Sequence, residues 1–91
     1  MSEKSFRLIV LTMNQIVFEG DVTSITAPGS MGSFTVLAGH IPLVSTLEKG
    51  SVRFRLQDGK EESTTIDGGF LEVKREGEVV VLADNVLSPL Q

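Results

Sequence analysis

The chain has 91 residues, twelve acids against eight Lys and Arg, a formal net charge of −4, 41% hydrophobic residues and no cysteine. That length supports one domain with a single core, burying roughly 60–65% of the unfolded chain's surface. The charge balance argues against nucleic acid, and the lack of cysteine excludes disulfide frameworks and thiolate zinc sites, so nothing demands an oxidising compartment.

No apolar run approaches the ~20 residues of a membrane-spanning helix, and Met1-Ser2-Glu3-Lys4 lacks the layout of a signal peptide. A soluble, unprocessed chain with no direct membrane insertion is expected. Phe6 to Leu11 reads as a strand with Phe6, Leu8 and Val10 on one face, but Ile9 and Leu11 make its other face apolar too. Thr12-Met13-Asn14-Gln15 turns, and Ile16 to Gly20 returns as a short strand ended by glycine. Val22 to Ala27 is a third strand of β-branched residues running into Pro28-Gly29.

Pro28-Gly29 and Gly32 mark a tip exposing Ser30, Met31 and Ser33, after which Phe34 to Leu37 alternates Phe34 and Val36 against Thr35 and Leu37. Gly39-His40-Ile41-Pro42 is a second bend, and Pro42 to Leu47 leads to a turn at Lys49-Gly50. Ser51 to Gln57 alternates cleanly, with Val52, Phe54 and Leu56 inward, and Asp58-Gly59 is a strong hairpin signal. Lys60 to Ile66 returns as a polar, edge-like strand, Asp67-Gly68-Gly69 turns, and Phe70 to Lys74 follows with Leu71 and Val73 inward. Arg75-Glu76-Gly77 turns into Val79 to Ala83, apolar on both faces through Val80 and Leu82.

No window carries helical periodicity, so eight or nine short strands at turn spacing predict an all-β, antiparallel sandwich over residues 1–86, with 87–91 a short tail. The single histidine, with no triad spacing to Ser33 or Ser45, does not make a catalytic centre or a metal site. The glycines form neither a dinucleotide fingerprint nor a phosphate loop, so no cofactor is expected. By itself His40 reads as a turn residue bonded to local backbone. Ile9, Leu11, Val80 and Leu82 are either central-strand residues under a loop or residues beneath a partner protein.

Several segments carry a resemblance through their order and spacing: Ile16-Val17-Phe18-Glu19-Gly20-Asp21-Val22, Thr26-Ala27-Pro28-Gly29 with Gly32, and Gly39-His40-Ile41-Pro42-Leu43. Gly50, Gly68-Gly69-Phe70-Leu71-Glu72-Val73 and Val79-Val80-Val81-Leu82-Ala83-Asp84 extend it over nearly the whole chain. The sequence resembles the amino-terminal β-sandwich domain of the epsilon subunits of bacterial and chloroplast F-type ATP synthases. The resemblance implies two facing sheets of about ten short strands.

It also implies a noncatalytic rotor subunit of the central stalk, tying gamma to the ring of proton-carrying membrane subunits and serving the catalytic alpha/beta assembly indirectly. Ring loops would then meet Ser30, Met31, Gly32 and Ser33. Gamma would meet Thr12, His40 and Ser45, with Ile9, Leu11, Val80 and Leu82 as the covered sheet face. The implied location is the cytoplasmic face of a bacterial inner membrane, or the stromal face of a thylakoid. Relatives often carry acids where this chain has Met31 and Ser33, and proline where it has Ala38. They usually continue after the Leu-Ala-Asp strand into a helical hairpin that restrains ATP hydrolysis, and that function is expected to be missing here. The rival expectation is a free-standing sandwich that binds a peptide or small ligand in an enclosed pocket.

Overall fold

The computed structural model describes residues 4–88 and 90. Six strands form among them: β1 (Phe6–Leu11), β2 (Ile16–Gly29), β3 (Gly32–Leu37), β4 (Leu43–Leu56), β5 (Glu61–Val73) and β6 (Val79–Ala83). None of the described residues is helical. The strand order is β1-β6-β5-β4-β2-β3, and β1 also pairs with β2, so the sheet closes on itself.

Two features differ from the sequence reading. The first is a parallel pair, β1 with β6, among otherwise antiparallel ladders. The closed circuit runs through β1, β6, β5, β4 and β2, and strand directions cannot alternate all the way around an odd ring. One parallel contact is forced. It falls where the first and last strands meet, because no short hairpin loop joins them.

The second difference is strand count: six strands, three of them 13 or 14 residues long, stand where eight or nine short ones were expected. Gly20, Lys49-Gly50 and Gly68-Gly69 lie inside β2, β4 and β5 and are not turns between strands. The β4–β5 ladder holds one register from Leu43↔Val73 to Arg55↔Glu61, straight through both glycine sites. A fully extended 14-residue strand would reach about 45 Å, yet the longest extent of the molecule is 35 Å. Bending is therefore obligatory.

Glycine permits it where backbones crowd. Gly69, at φ 144°, is so close to the Leu82 carbonyl that a Cβ there would also lie 2.9 Å from the Ala83 Cα. At Gly50 a Cβ would stand 2.9 Å from the Pro28 Cβ, so the proline ring occupies the space a side chain would need.

Inside the closed sheet, alternate residues from every strand make one core, with Leu8, Val10, Val22, Ile25, Val52, Ile66, Leu71 and Val81 fully buried. Val52 and Phe54 point inward as their alternation predicts, and the Phe54 ring lies 4.4 Å, centroid to centroid, from that of Phe18. The Asp58-Gly59 turn forms where expected, closed by Leu56 N–H to the Lys60 carbonyl at 2.8 Å.

After β6 the chain bends at Asp84 and runs along the first half of β5. Asp67 N–H donates to the Asn85 carbonyl at 3.0 Å and Leu87 N–H to the Thr65 carbonyl at 2.8 Å. The buried Thr64 hydroxyl donates to the Ser88 carbonyl at 2.8 Å. Of the stretch 87–91 read as a tail, Pro89 and Gln91 lie outside the described residues.

Candidate protein interface

Strand register decides which residues share the outer surface. On one side of the molecule Thr46 pairs with Phe70, Phe70 with Leu82, Leu82 with Leu11 and Leu11 with Ile16. The neighbouring outward row runs Val44, Glu72, Val80, Ile9, Glu19. Ile9, Leu11, Val80 and Leu82 therefore stand together as two cross-strand pairs, and the core does not swallow them: the first three are half-buried and Leu82 is exposed.

Other apolar side chains widen this face. Phe70 is 50% exposed, Ile16 60% and Val44 69%, and Met13 projects from the adjoining turn. The sequence reading passed over all four. Phe70 was nonetheless readable, since Leu71 and Val73 inward place Phe70 and Glu72 outward.

Ion pairs border the face on one side. Arg7 Nη2 lies 2.7 Å from Glu19 Oε2, and Lys74 Nζ 3.4 Å from Glu78 Oε1. The Glu19 hydrogen bond holds the Arg7 guanidinium above its ordinary pKa. An apolar centre with a charged rim is the anatomy of a docking surface.

At the Thr46 end of the first row lies the β2–β3 tip. Gly29 pairs with Gly32, leaving Ser30 and Met31 as the two-residue loop, and Met31 is fully exposed with Ser33 beside it. The tip is tied down. Ser30 N–H donates to the Thr46 carbonyl at 3.1 Å, and the Ser30 and Thr46 hydroxyls are 2.8 Å apart. Because Thr46 also begins the row leading through Phe70, the tip and the apolar face are one continuous surface.

Thr12, His40 and Ser45 are not gathered at one place. Thr12 follows Leu11 at the rim of the apolar face, where its hydroxyl accepts the Asn14 N–H at 3.2 Å. His40 lies near the opposite end of β1, in a cleft of about 600 Å³ with Phe6, Arg7, Arg75 and Glu78. Its Nδ1 is 2.7 Å from the Ile41 carbonyl oxygen, which is the local backbone bond expected of a turn histidine. Ser45 pairs with Leu71 on the inward side of β4 and donates to the Thr46 carbonyl at 3.1 Å.

The cleft beside His40 is open to solvent, with arginines as well as glutamates along it, and among the described residues no carboxylate is bonded to the imidazole. Among the described residues no cluster of three metal-ligating side chains forms.

A family model for the ATP synthase Delta/Epsilon chain, beta-sandwich domain, matches residues 5–89. The chain belongs to that family. It is 41% identical over 83 residues to the ATP synthase epsilon chain of Chlorobium limicola, covering 91% of this chain and 94% of that one. It is 38% identical over 79 residues to the epsilon chain of Dichelobacter nodosus, covering 87% of this chain and 54% of that one.

Among solved structures, a chain of the Euglena gracilis mitochondrial ATP synthase, OSCP/F1/c-ring in rotational state 1, matches with a TM-score of 0.86 at 25% identity. That match covers 96% of this chain and 55% of the Euglena chain. A chain of the Tetrahymena thermophila mitochondrial ATP synthase central stalk and c-ring shares the fold, with a TM-score of 0.78 at 11% identity, over 97% of this chain and 69% of that one. This chain thus spans about half the length of the Dichelobacter and Euglena chains. Epsilon-type chains are structural stalk subunits, and this one is accordingly not an enzyme.

Proposed function

We propose that this chain is a rotor subunit of the central stalk of a proton-translocating F-type ATP synthase, joining gamma to the membrane ring and helping rotation reach the catalytic subunits. The observation that carries the reading is the continuity of the outer apolar face with the pinned tip. Gamma covers Ile9, Leu11, Val80 and Leu82, together with Phe70 and Val44, and Thr12 lies at the rim of that contact. Ring loops meet Ser30, Met31, Gly32 and Ser33. His40 and Ser45 stand off the face and enter only as outlying gamma contacts.

The tip carries no charge, so its contact with the ring is made by hydroxyls, backbone and the Met31 side chain and not by an ion pair. Such an assembly holds the chain peripherally at the cytoplasmic face of a bacterial inner membrane, or the stromal face of a thylakoid. In the same reading the closed sheet is two facing layers of about ten segments. What supports this is the bending of β2, β4 and β5, each contributing one half to either layer, with β1, β3, β6 and residues 85–88 completing them.

The test is direct. Mixed with purified gamma, the 91-residue chain should co-elute on size exclusion as a stable complex, and Leu82→Glu should abolish co-elution while leaving the circular dichroism unchanged. Separate elution of the wild-type chain at low salt refutes the stalk reading.

A further inference from the structure

Of the six strands, only β3 has a single partner: its ladder is with β2 alone. That ladder runs through six consecutive pairs, Gly29↔Gly32 to Ser24↔Leu37, with no shift in register, whereas the β1–β2 and β2–β4 ladders are both shifted. The strand Gly32-Ser33-Phe34-Thr35-Val36-Leu37 holds neither charge nor proline. Sheets normally blunt an open edge with charges, proline, a bulge or a cover. Here the contrast lies within one molecule, since the first half of β5 opens with Glu61-Glu62, directly after Lys60, and is covered by residues 85–88.

Alternation shows which groups are free. The two-residue loop Ser30-Met31 makes Gly29 and Gly32 the hydrogen-bonded closing pair, so Phe34 and Val36 bond to β2 in turn. Pro28, with no N–H, stands opposite Ser33 in a non-bonded pair, as that phase requires. The backbone N–H and C=O groups of Ser33, Thr35 and Leu37 therefore aim outward from the sheet. Among the described residues one is engaged locally: the Leu37 carbonyl accepts His40 N–H at 3.2 Å.

We propose that this edge is a self-association site, at which a second copy of this chain adds antiparallel along β3 about a twofold axis through Thr35. The two Thr35 residues exchange N–H and C=O bonds, and each Leu37 N–H reaches the Ser33 carbonyl of the other copy. The occupant is a second copy because the edge is its own complement under that symmetry. Its free donors and acceptors are related by the twofold, no like charges meet, and the exposed Ser33 and Thr35 side chains are small enough to leave the backbone open. Strand pairing alone buries little surface, so the dimer is weak and builds up only between about 10 μM and about 1 mM.

Sedimentation equilibrium over that range, together with amide exchange, tests the proposal independently of any stalk partner. The wild-type chain should shift from monomer to dimer, and the Thr35 and Leu37 amides should become protected as it does, while Phe34 and Val36 are protected throughout. Thr35→Pro removes the outward backbone donor, together with the exposed hydroxyl contact to Thr26, at an edge that tolerates proline, and Thr35→Lys brings like charges together across the axis. Each should leave the chain monomeric at about 1 mM with unchanged circular dichroism, and the lysine variant suffices if the proline variant fails to fold. A wild-type chain that stays monomeric at that concentration, or a Thr35→Lys chain that dimerises as wild type does, overturns the proposal.

Discussion

The two outer surfaces of this closed sheet are built on the same backbone yet differ in kind. On one, Phe70, Leu82, Leu11 and Ile16 follow one another across strands, backed by Val44, Val80 and Ile9. On the other, Thr35, Thr26, Arg53 and Ser63 form one row, and the next runs from the exposed Leu37 through Ser24 and Arg55 to Glu61, polar beyond its first residue. There the Thr26 and Thr35 hydroxyls are 2.8 Å apart. Folding does not ask for the difference, because the inward residues of both sides share one core. Leaving large apolar groups in water is a cost that a partner's surface removes on binding.

The largest expected effect is therefore an asymmetry between the faces. Leu82→Glu or Phe70→Glu should weaken gamma binding by about 30-fold or more, the scale of a central interface residue, as measured by titration calorimetry. Thr26→Glu or Arg53→Glu should change it less than about twofold. Equal losses from both faces would erase the distinction on which the stalk reading rests.

A second prediction concerns the bend that aims the apolar face. Gly69→Ala should destabilise the chain by about 2–4 kcal/mol in urea unfolding, because its Cβ has no room against the Leu82 carbonyl and Ala83. Gly59→Ala, also at positive φ but with nothing within 4 Å, should cost only about 1 kcal/mol. If the two cost the same, crowding does not fix the bend.

These glycines also show where sequence reading stops. Val52 and Phe54, the Asp58-Gly59 turn, the Ser30-Met31 tip and the bounds Val79–Ala83 were legible, because local alternation and turn chemistry determine them. Gly50 and Gly68-Gly69 were misread as strand ends, since a glycine inside a coiled strand leaves the same mark as one in a turn. The parallel β1–β6 contact joins the two ends of the chain and has no local signature. Of the candidate site, the cross-strand neighbours Ile9, Leu11, Val80 and Leu82 were found as strands apolar on both faces. Thr12 and His40 came as one group yet lie at opposite ends of β1, a separation that register alone reveals.

Smaller again is the effect expected at the junction of tip and face. Thr46→Val removes one hydroxyl partner of Ser30 but keeps the backbone bond, so stability should fall by only about 0.5–1 kcal/mol. The proposed consequence is selective. Binding to isolated membrane ring should weaken severalfold as the tip loosens, while binding to gamma through Phe70 and Leu82 holds. A parallel loss of both would mean that Thr46 serves the face itself.

The smallest expected effect is none at all. The family resemblance implies that restraint of ATP hydrolysis belongs to a helical hairpin, and the described residues of this polypeptide contain no helix. Added to a catalytic alpha/beta/gamma assembly at saturating concentration, the 91-residue chain should bind and leave the hydrolysis rate within about twofold. Strong inhibition reversed by ATP would move regulation onto the sheet itself, either through the apolar face, contacting a catalytic subunit as well as gamma, or through another surface. A Leu82→Glu chain separates the two cases, because inhibition that survives loss of gamma binding cannot run through that face.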